Sequence, residues 1–243
     1  MVLVSGVSAK SIFDSRREKT ILVSIKTNVG NFSASAPNGK SKGKYEAHSY
    51  KKDLQGDIKT LRQFSTYFSE DEIEKFDDLR RIEDIVDRHV GANTLFALES
   101  AVLKALAKEQ KKQVWQLINP KISASTGKFP RLLGNCIGGG KHSQGKKPDF
   151  QEFLIIPKTK SVKEAQDKNK ETKKEVAYLL KKRDEKFESK KNDEDAWETS
   201  LNEKEVLDIL KNISAKAEIG VDVAASGFHK RKKYNYQNPV LSR

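Results

Sequence analysis

Cysteine is nearly missing from this 243-residue chain: Cys136 is the single one. A disulfide framework is therefore impossible, and so is a Cys-cluster metal site. Long apolar runs are missing as well. No stretch approaches the ~20 apolar residues that a membrane-spanning helix needs. The N-terminus, MVLVSGVSAKSIF, has neither a basic leader nor a long apolar segment, so a cytoplasmic, non-secreted protein is expected. Hydrophobic residues make up only 36% and charged residues 33%. Acid is in deficit: 47 Lys and Arg face 34 Asp and Glu, a net charge of +13. Such a balance invites a nucleic-acid reading. The lysines, however, are interleaved with acids, as in KKRDEKFESKK (181–191). A solvated surface is the simpler expectation, with neither nucleic acid nor membrane as a partner.

What is present falls into separated apolar clusters. Val2–Phe13, Thr20–Val29 and Asn31–Ala36 read as an antiparallel meander, with Asn28-Val29-Gly30-Asn31 as a turn. Residues 37–44, PNGKSKGK, read as a basic loop. Residues 51–118 carry helical spacing. Ser69–Glu72 reads as a capping box, followed by Ile73, Phe76, Leu79, Ile82, Val86 and Val90 on one face. Gly91 should end that helix and Asn93 cap the next. A domain boundary is expected in the Pro-containing stretch 119–130, giving domains 1–127 and 128–243. Beyond it, Leu132–Ile137 and Phe150–Ile156 read as strands. Ser161 and Glu164 open a helix to about Lys182, Glu203–Ile213 is a further helix, and Ile219–Ala225 reads as a buried strand. Strand, helix, strand argues for an α/β layer with parallel strands.

Four places combine reactive groups with suitable local structure. In Asn38-Gly-Lys-Ser-Lys-Gly43, backbone N–H groups and lysines would attract an anion, although the spacing is not that of a P-loop. Gly138-Gly-Gly-Lys-His142, with Gln151-Glu152 in the next strand, suits a ligand site and a solvated turn with a structural Glu equally well. Asn192-Asp193-Glu194 by itself is a charge run. Asp222 inside IGVDVAA would need a metal ion or a basic partner, because an unpaired buried carboxylate is costly. The HKRKK run (229–233) could touch phosphates, but a solvated loop is the plainer reading.

Taken in order, these places resemble enolase. Ile12-Phe-Asp-Ser-Arg16 is similar to the family's opening signature, and Pro37–Gly43 with Glu46-Ala47 to its mobile loop. Asn135–His142 and Gln151-Glu152-Phe153 look like two barrel elements, Asp193-Glu194 like the acid loop, and Asp222–Phe228 like the metal strand. The wording of the mobile loop is nearest the archaeal-type members. The resemblance implies an α+β N-terminal domain, a three-stranded meander plus helices, followed by the first, incomplete part of an enolase-type α/β barrel. A complete barrel takes ~250 residues. It further implies interconversion of 2-phosphoglycerate and phosphoenolpyruvate, with Mg²⁺. Asp222 would be a ligand of the first Mg²⁺ and Ser41 of the second. Glu194 would be the general acid, helped by Glu152, and His142 and Gln151 would contact substrate. A homodimer is implied too.

The family's later lysine base and two further metal carboxylates find no counterpart here. Arg17, Asp195 and Gly227 also stand where the family has Gly, Gly and Glu. Two expectations follow: a lyase chain that is inactive alone and that a second chain could complete, or a non-catalytic derivative that binds an anionic partner such as RNA.

Overall fold

The computed structural model describes residues 1–68, 72–121, 130–213 and 217–238. Its chain divides into two compact units: residues 1–39 with 45–128, and residues 40–44 with 129–243.

In the first unit, β1 (Val2–Phe13), β2 (Lys19–Thr27) and β3 (Gly30–Ser35) form the expected meander. Val2, Val4, Val7 and Ala9 are all buried, although 4 and 7 differ by an odd number. A bulge between Val4 and Gly6 absorbs the extra residue and keeps both halves of β1 facing the core. The helices are α1 (Leu54–Phe64), α2 (Leu79–Val86), α3 (Ala92–Glu109) and α4 (Val114–Ile118). Ala97, Leu98, Ala101, Val102, Ala105 and Leu106 line the buried face of α3, which packs on β2 and β3. Its alanines let the backbone come close to the sheet. Leu98 and Leu106, both fully buried, contribute about 1.5–3 kcal/mol each.

Two sequence readings need correction here. The capping box at 69–72 lies mostly outside the described residues. Glu72–Ile73 is a short strand, β4, paired with Val2 and Leu3, so the sheet has four strands in the order β3-β2-β1-β4. Ile73 is therefore buried by the sheet and not by a helix; the helix proper starts at Leu79, after a 3₁₀ turn at Phe76–Asp78. Gly91, expected to end α2, instead precedes α3, and Asn93 lies inside that helix. A Cβ on Gly91 would fall 2.3 Å from Tyr50 Cα, so only glycine fits. Its N–H donates to the buried Asp57 carboxylate at 2.8 Å, as does the Thr94 hydroxyl at 2.6 Å.

Glu83 on α2 and Glu99 on α3 share a hydrogen bond. Burial first, and then the Glu83 charge, push the Glu99 carboxyl up to about 7. The folded state thus binds a proton more tightly than the unfolded one between pH 4.5 and 7. The pair stabilises most below pH 4.5 and loses that contribution as pH rises to 7. Because Glu99 is only partly buried and solvent screens the pair, about 1 kcal/mol is expected. Urea unfolding of Glu83→Gln should show a flatter pH dependence than the parent; an equal slope would refute the pairing.

The second unit has one four-stranded sheet in the order β7-β5-β6-β8 among the described residues. The strands are β5 (Gly134–Gly138), β6 (Glu152–Pro157), β7 (Trp197–Glu198) and β8 (Ala217–Asp222). Helices α5 (Val162–Arg183) and α6 (Glu203–Lys211) cover it through Val176, Leu180, Val206, Ile209 and Leu210, packed with Phe153 and Ile155. Ser161 caps α5 as expected, accepting from Glu164 N at 3.2 Å.

The expected parallel pairing of the strands around 150–156 and 219–225 is wrong: β6 and β8 are antiparallel, with Pro157 opposite Ala217. One helix between strands returns the chain to its starting end and gives a parallel pair. Strand β7 lies between α5 and α6 and is parallel to β5, hence opposite to β6, so the single helix α6 returns the chain from β7 to a β8 that also opposes β6. Because β6 runs against both β5 and β8, its first residues lie beside their last ones. The buried Asp184 ties down the connection, accepting from Thr199 Oγ1, Ser200 N and Ser200 Oγ at 2.6–2.8 Å.

Candidate active site

The end of the sheet where β5 and β8 finish and β6 begins gathers most of the residues singled out from the sequence. After β5 the chain turns on three glycines. Gly139 N donates to Gln151 O and Gly140 N to Pro148 O, both at 2.9 Å. A Cβ on Gly139 would lie 2.3 Å from Phe150 O, so a side chain there would push the two segments apart. This tight turn delivers His142, which is 6% exposed. Its Nδ1 lies 3.0 Å from Asp193 Oδ1 and 3.5 Å from Glu194 Oε1.

The loop that carries Asp193 and Glu194 is built by Asn192. Its side-chain oxygen accepts from Glu194 N at 2.9 Å and Ala196 N at 3.0 Å. Asp195 closes the turn in the left-handed region, at φ 63°. Aspartate tolerates that region better than most residues, so its presence in place of glycine does not open the turn. The Asp195 carboxylate binds Lys173 at 2.7 Å and Lys191 at 2.6 Å, and these hydrogen bonds hold its pKa low.

Burial pushes the Asp193 carboxyl up. The Lys40 ammonium at 2.7 Å and His142 outweigh this and hold it at about 2. Asp193 thus stays ionised and orients the imidazole. Glu152 behaves oppositely. Burial first, then the hydrogen bond that its protonated form donates to Glu194 and the charges of Glu194 and Asp222, push it up to about 7. Ligand atoms of His142, Glu152 and Glu194 all lie within 4.8 Å of one another. Asn135 Nδ2 donates to Glu194 Oε2 at 3.0 Å.

Asp222 is opposite Glu152 in the β6–β8 register, as a site would require. It is nevertheless exposed, and β8 is only partly buried. The expected buried strand and its desolvation cost are not found, because β8 is the last strand of this sheet among the described residues and its outer side has no neighbour. Gln151 is 5% exposed; its Oε1 and the Oδ1 of Asn135 are buried and accept no hydrogen bond. Ser41 and Gln151 both line a cleft of about 360 Å³, with Lys42, Lys141 and Lys147 at its wall and 224–228 as its floor.

The comparisons with known proteins bear on this arrangement. The family described as "Enolase, N-terminal domain" matches residues 4–118, and "Enolase, C-terminal TIM barrel domain" matches residues 128–240. The chain belongs to the enolase family. It is similar to the enolase of Pyrobaculum aerophilum, 30% identical over 267 residues, covering 99% of this chain and 62% of that protein. The enolase of Methanosphaera stadtmanae is 29% identical, with 99% and 62% covered. That of Ehrlichia ruminantium is 30% identical, again with 99% and 62% covered. The chain thus spans about three fifths of these enolases' length. No helix among the described residues is long and apolar enough to cross a membrane.

Set beside the enolase motifs, three roles escaped the sequence reading: Lys40, read there only as attracting an anion, as the partner of Asp193, Asp193 as the orienter of His142, and Asn192 as the loop's builder. Asn192 had a local signal, an Asn opening an Asx-type turn. The pairing of Lys40 with Asp193, 153 residues apart, had none.

Proposed function

We propose that this chain carries the acid side of an enolase-type lyase acting between 2-phosphoglycerate and phosphoenolpyruvate. The observation that supports this best is the hydrogen-bonded Glu152–Glu194 pair with His142 alongside. Two carboxyls so close hold one proton between them, and a held proton is what a leaving hydroxyl needs. Glu194 donates it, and Glu152 shares it from a protonated state that burial favours. Asp193 fixes the ring of His142 toward the substrate. Gln151, with its unpaired buried oxygen, accepts from a substrate hydroxyl.

Glu152, Glu194 and Asp222 lie at one end of the sheet, and their negative charges reinforce one another there, which suits a divalent ion such as Mg²⁺. Asp222 would hold it, and Ser41 would serve a second. When bound, Mg²⁺ would offset negative charge developing at the substrate carboxylate. The lysines of the cleft wall attract the phosphate. The proton acceptor and the other metal carboxylates would come from outside these 243 residues, either in the same polypeptide or in a second chain, within a cytoplasmic homodimer of the family's usual kind. The chain alone is then expected to give no measurable dehydration.

A carboxyl-resolved ¹³C NMR titration tests the acid pair. Glu152 should titrate near pH 7, and Glu194→Gln should return it towards 4.5. Titration of Glu152 below pH 5, unchanged in Glu194→Gln, would remove the shared proton and the acid role with it.

A further inference from the structure

The basic run that the lyase reading leaves unused folds into a hairpin. Strands β9 (His229–Lys230) and β10 (Lys233–Tyr234) pair antiparallel, with Lys230 opposite Lys233 and His229 opposite Tyr234. Arg231 and Lys232 form the two-residue turn, at φ 50° and 65°. Both lie in the left-handed region, where a two-residue hairpin turn favours Asn-Gly and bulky side chains are strained. Lys230 and Lys233 add like charges directly across the pair, also unfavourable. All four cations are exposed. None forms an ion pair within the described residues. Folding alone would select against such a turn.

Aromatic rings accompany the charge. Tyr234 is 58% exposed, and its ring centroid is 4.9 Å from that of His229. Phe228 packs behind it at 5.9 Å and buries the hairpin's base. Cations spread over a turn and two strands can meet successive phosphates, and an exposed ring beside them can stack on a base. A lipid surface would call for apolar side chains at the tip, and the tip has none.

We infer that the 228–234 hairpin is a binding surface for single-stranded nucleic acid. This does not rest on the lyase reading, since none of the hairpin residues belongs to the acid pair, and binding is read without turnover. The probe is a fluorescein-labelled 12-nucleotide oligouridylate, followed by anisotropy from 50 to 200 mM salt. A dissociation constant of roughly 10⁻⁴–10⁻⁶ M is expected. The double variant Arg231→Asn/Lys232→Gly removes two charges and supplies the preferred turn. Its thermal midpoint should hold or rise, while RNA affinity falls about tenfold and the log–log salt slope shrinks by about 1.4. Tyr234→Leu should weaken RNA binding about tenfold and leave inorganic polyphosphate binding unchanged.

The inference is overturned if the oligonucleotide does not bind, or if the turn variant binds it equally well. It is overturned too if Tyr234→Leu spares RNA or weakens both probes alike, since charge alone would then be sensed. Tighter binding to phosphatidylserine vesicles than to RNA, lost in the same variants, would assign the surface to a membrane instead.

Discussion

Glu194→Gln is expected to lower net dehydration of 2-phosphoglycerate by about 10²–10⁴-fold in an assembly that includes the proton acceptor. Removal of the substrate's α-proton should survive, because the proposed roles give that step to the acceptor and the metal and not to the acid pair. The two steps can be read separately, as exchange of the α-proton with deuterated solvent and as formation of phosphoenolpyruvate, each across a Mg²⁺ titration. Asp222→Asn should behave differently. If Asp222 is the metal ligand proposed above, the change weakens it, so added Mg²⁺ should restore part of the rate by mass action. No metal concentration replaces the proton lost with Glu194. Loss of exchange together with dehydration in Glu194→Gln, or its rescue by Mg²⁺, would reduce the Asp193-Glu194 loop to a structural turn.

The second large effect lies far from that chemistry. Asp57→Ala should destabilise the first unit by about 3–5 kcal/mol. Asp57 is 1% exposed and accepts from Lys51 N at 3.0 Å, Gly91 N at 2.8 Å and Thr94 Oγ1 at 2.6 Å. Each of these donors, left unpaired in a dry interior, costs about 1–3 kcal/mol. The carboxylate holds the segment before α1 to the start of α3, where glycine alone allows the close approach. Each unit holds one tryptophan, Trp115 in the first and Trp197 in the second. Urea unfolding in a Trp197→Phe background should show the Trp115 transition move to lower urea in Asp57→Ala. The Trp197 transition, followed in a Trp115→Phe background, should stay in place. A shift of both, or of neither, would show that Asp57 does not clamp the first unit.

Much of this was legible along the chain because the signals are local. Alternation in β1–β3, the Ser161 cap and the apolar stripe of α3 need only near neighbours. The same holds for the site's parts: Gly138-Gly-Gly-Lys-His142, Gln151-Glu152, Asp193-Glu194 and Asp222 are each short patterns, and their order carried the family resemblance. The failures are pairings that no local pattern contains. Glu72–Ile73 looked helical because Ile73 continues a 3.6-residue spacing, but β1 offered it an open edge. The direction of β8 depended on β7, a two-residue strand between α5 and α6 that already runs opposite to β6. Asp222 seemed buried because its neighbours are apolar, whereas burial depends on whether another strand covers them.

The sequence by itself determined the family, since chemical identity and spacing are written in the chain, and it supplied Glu152 and Glu194 as the proposed acid pair. Only the tertiary structure decided which carboxylate holds a proton and which stays ionised. In the sequence Glu152 sits in an apolar strand and Asp193 in a polar turn, and neither setting names the charged groups it will face. Folding buries Glu152 against Glu194 and opposite Asp222, where negative charge accumulates. It places Asp193 between Lys40 and His142, where positive charge does, and a proton goes where the negative field is strongest.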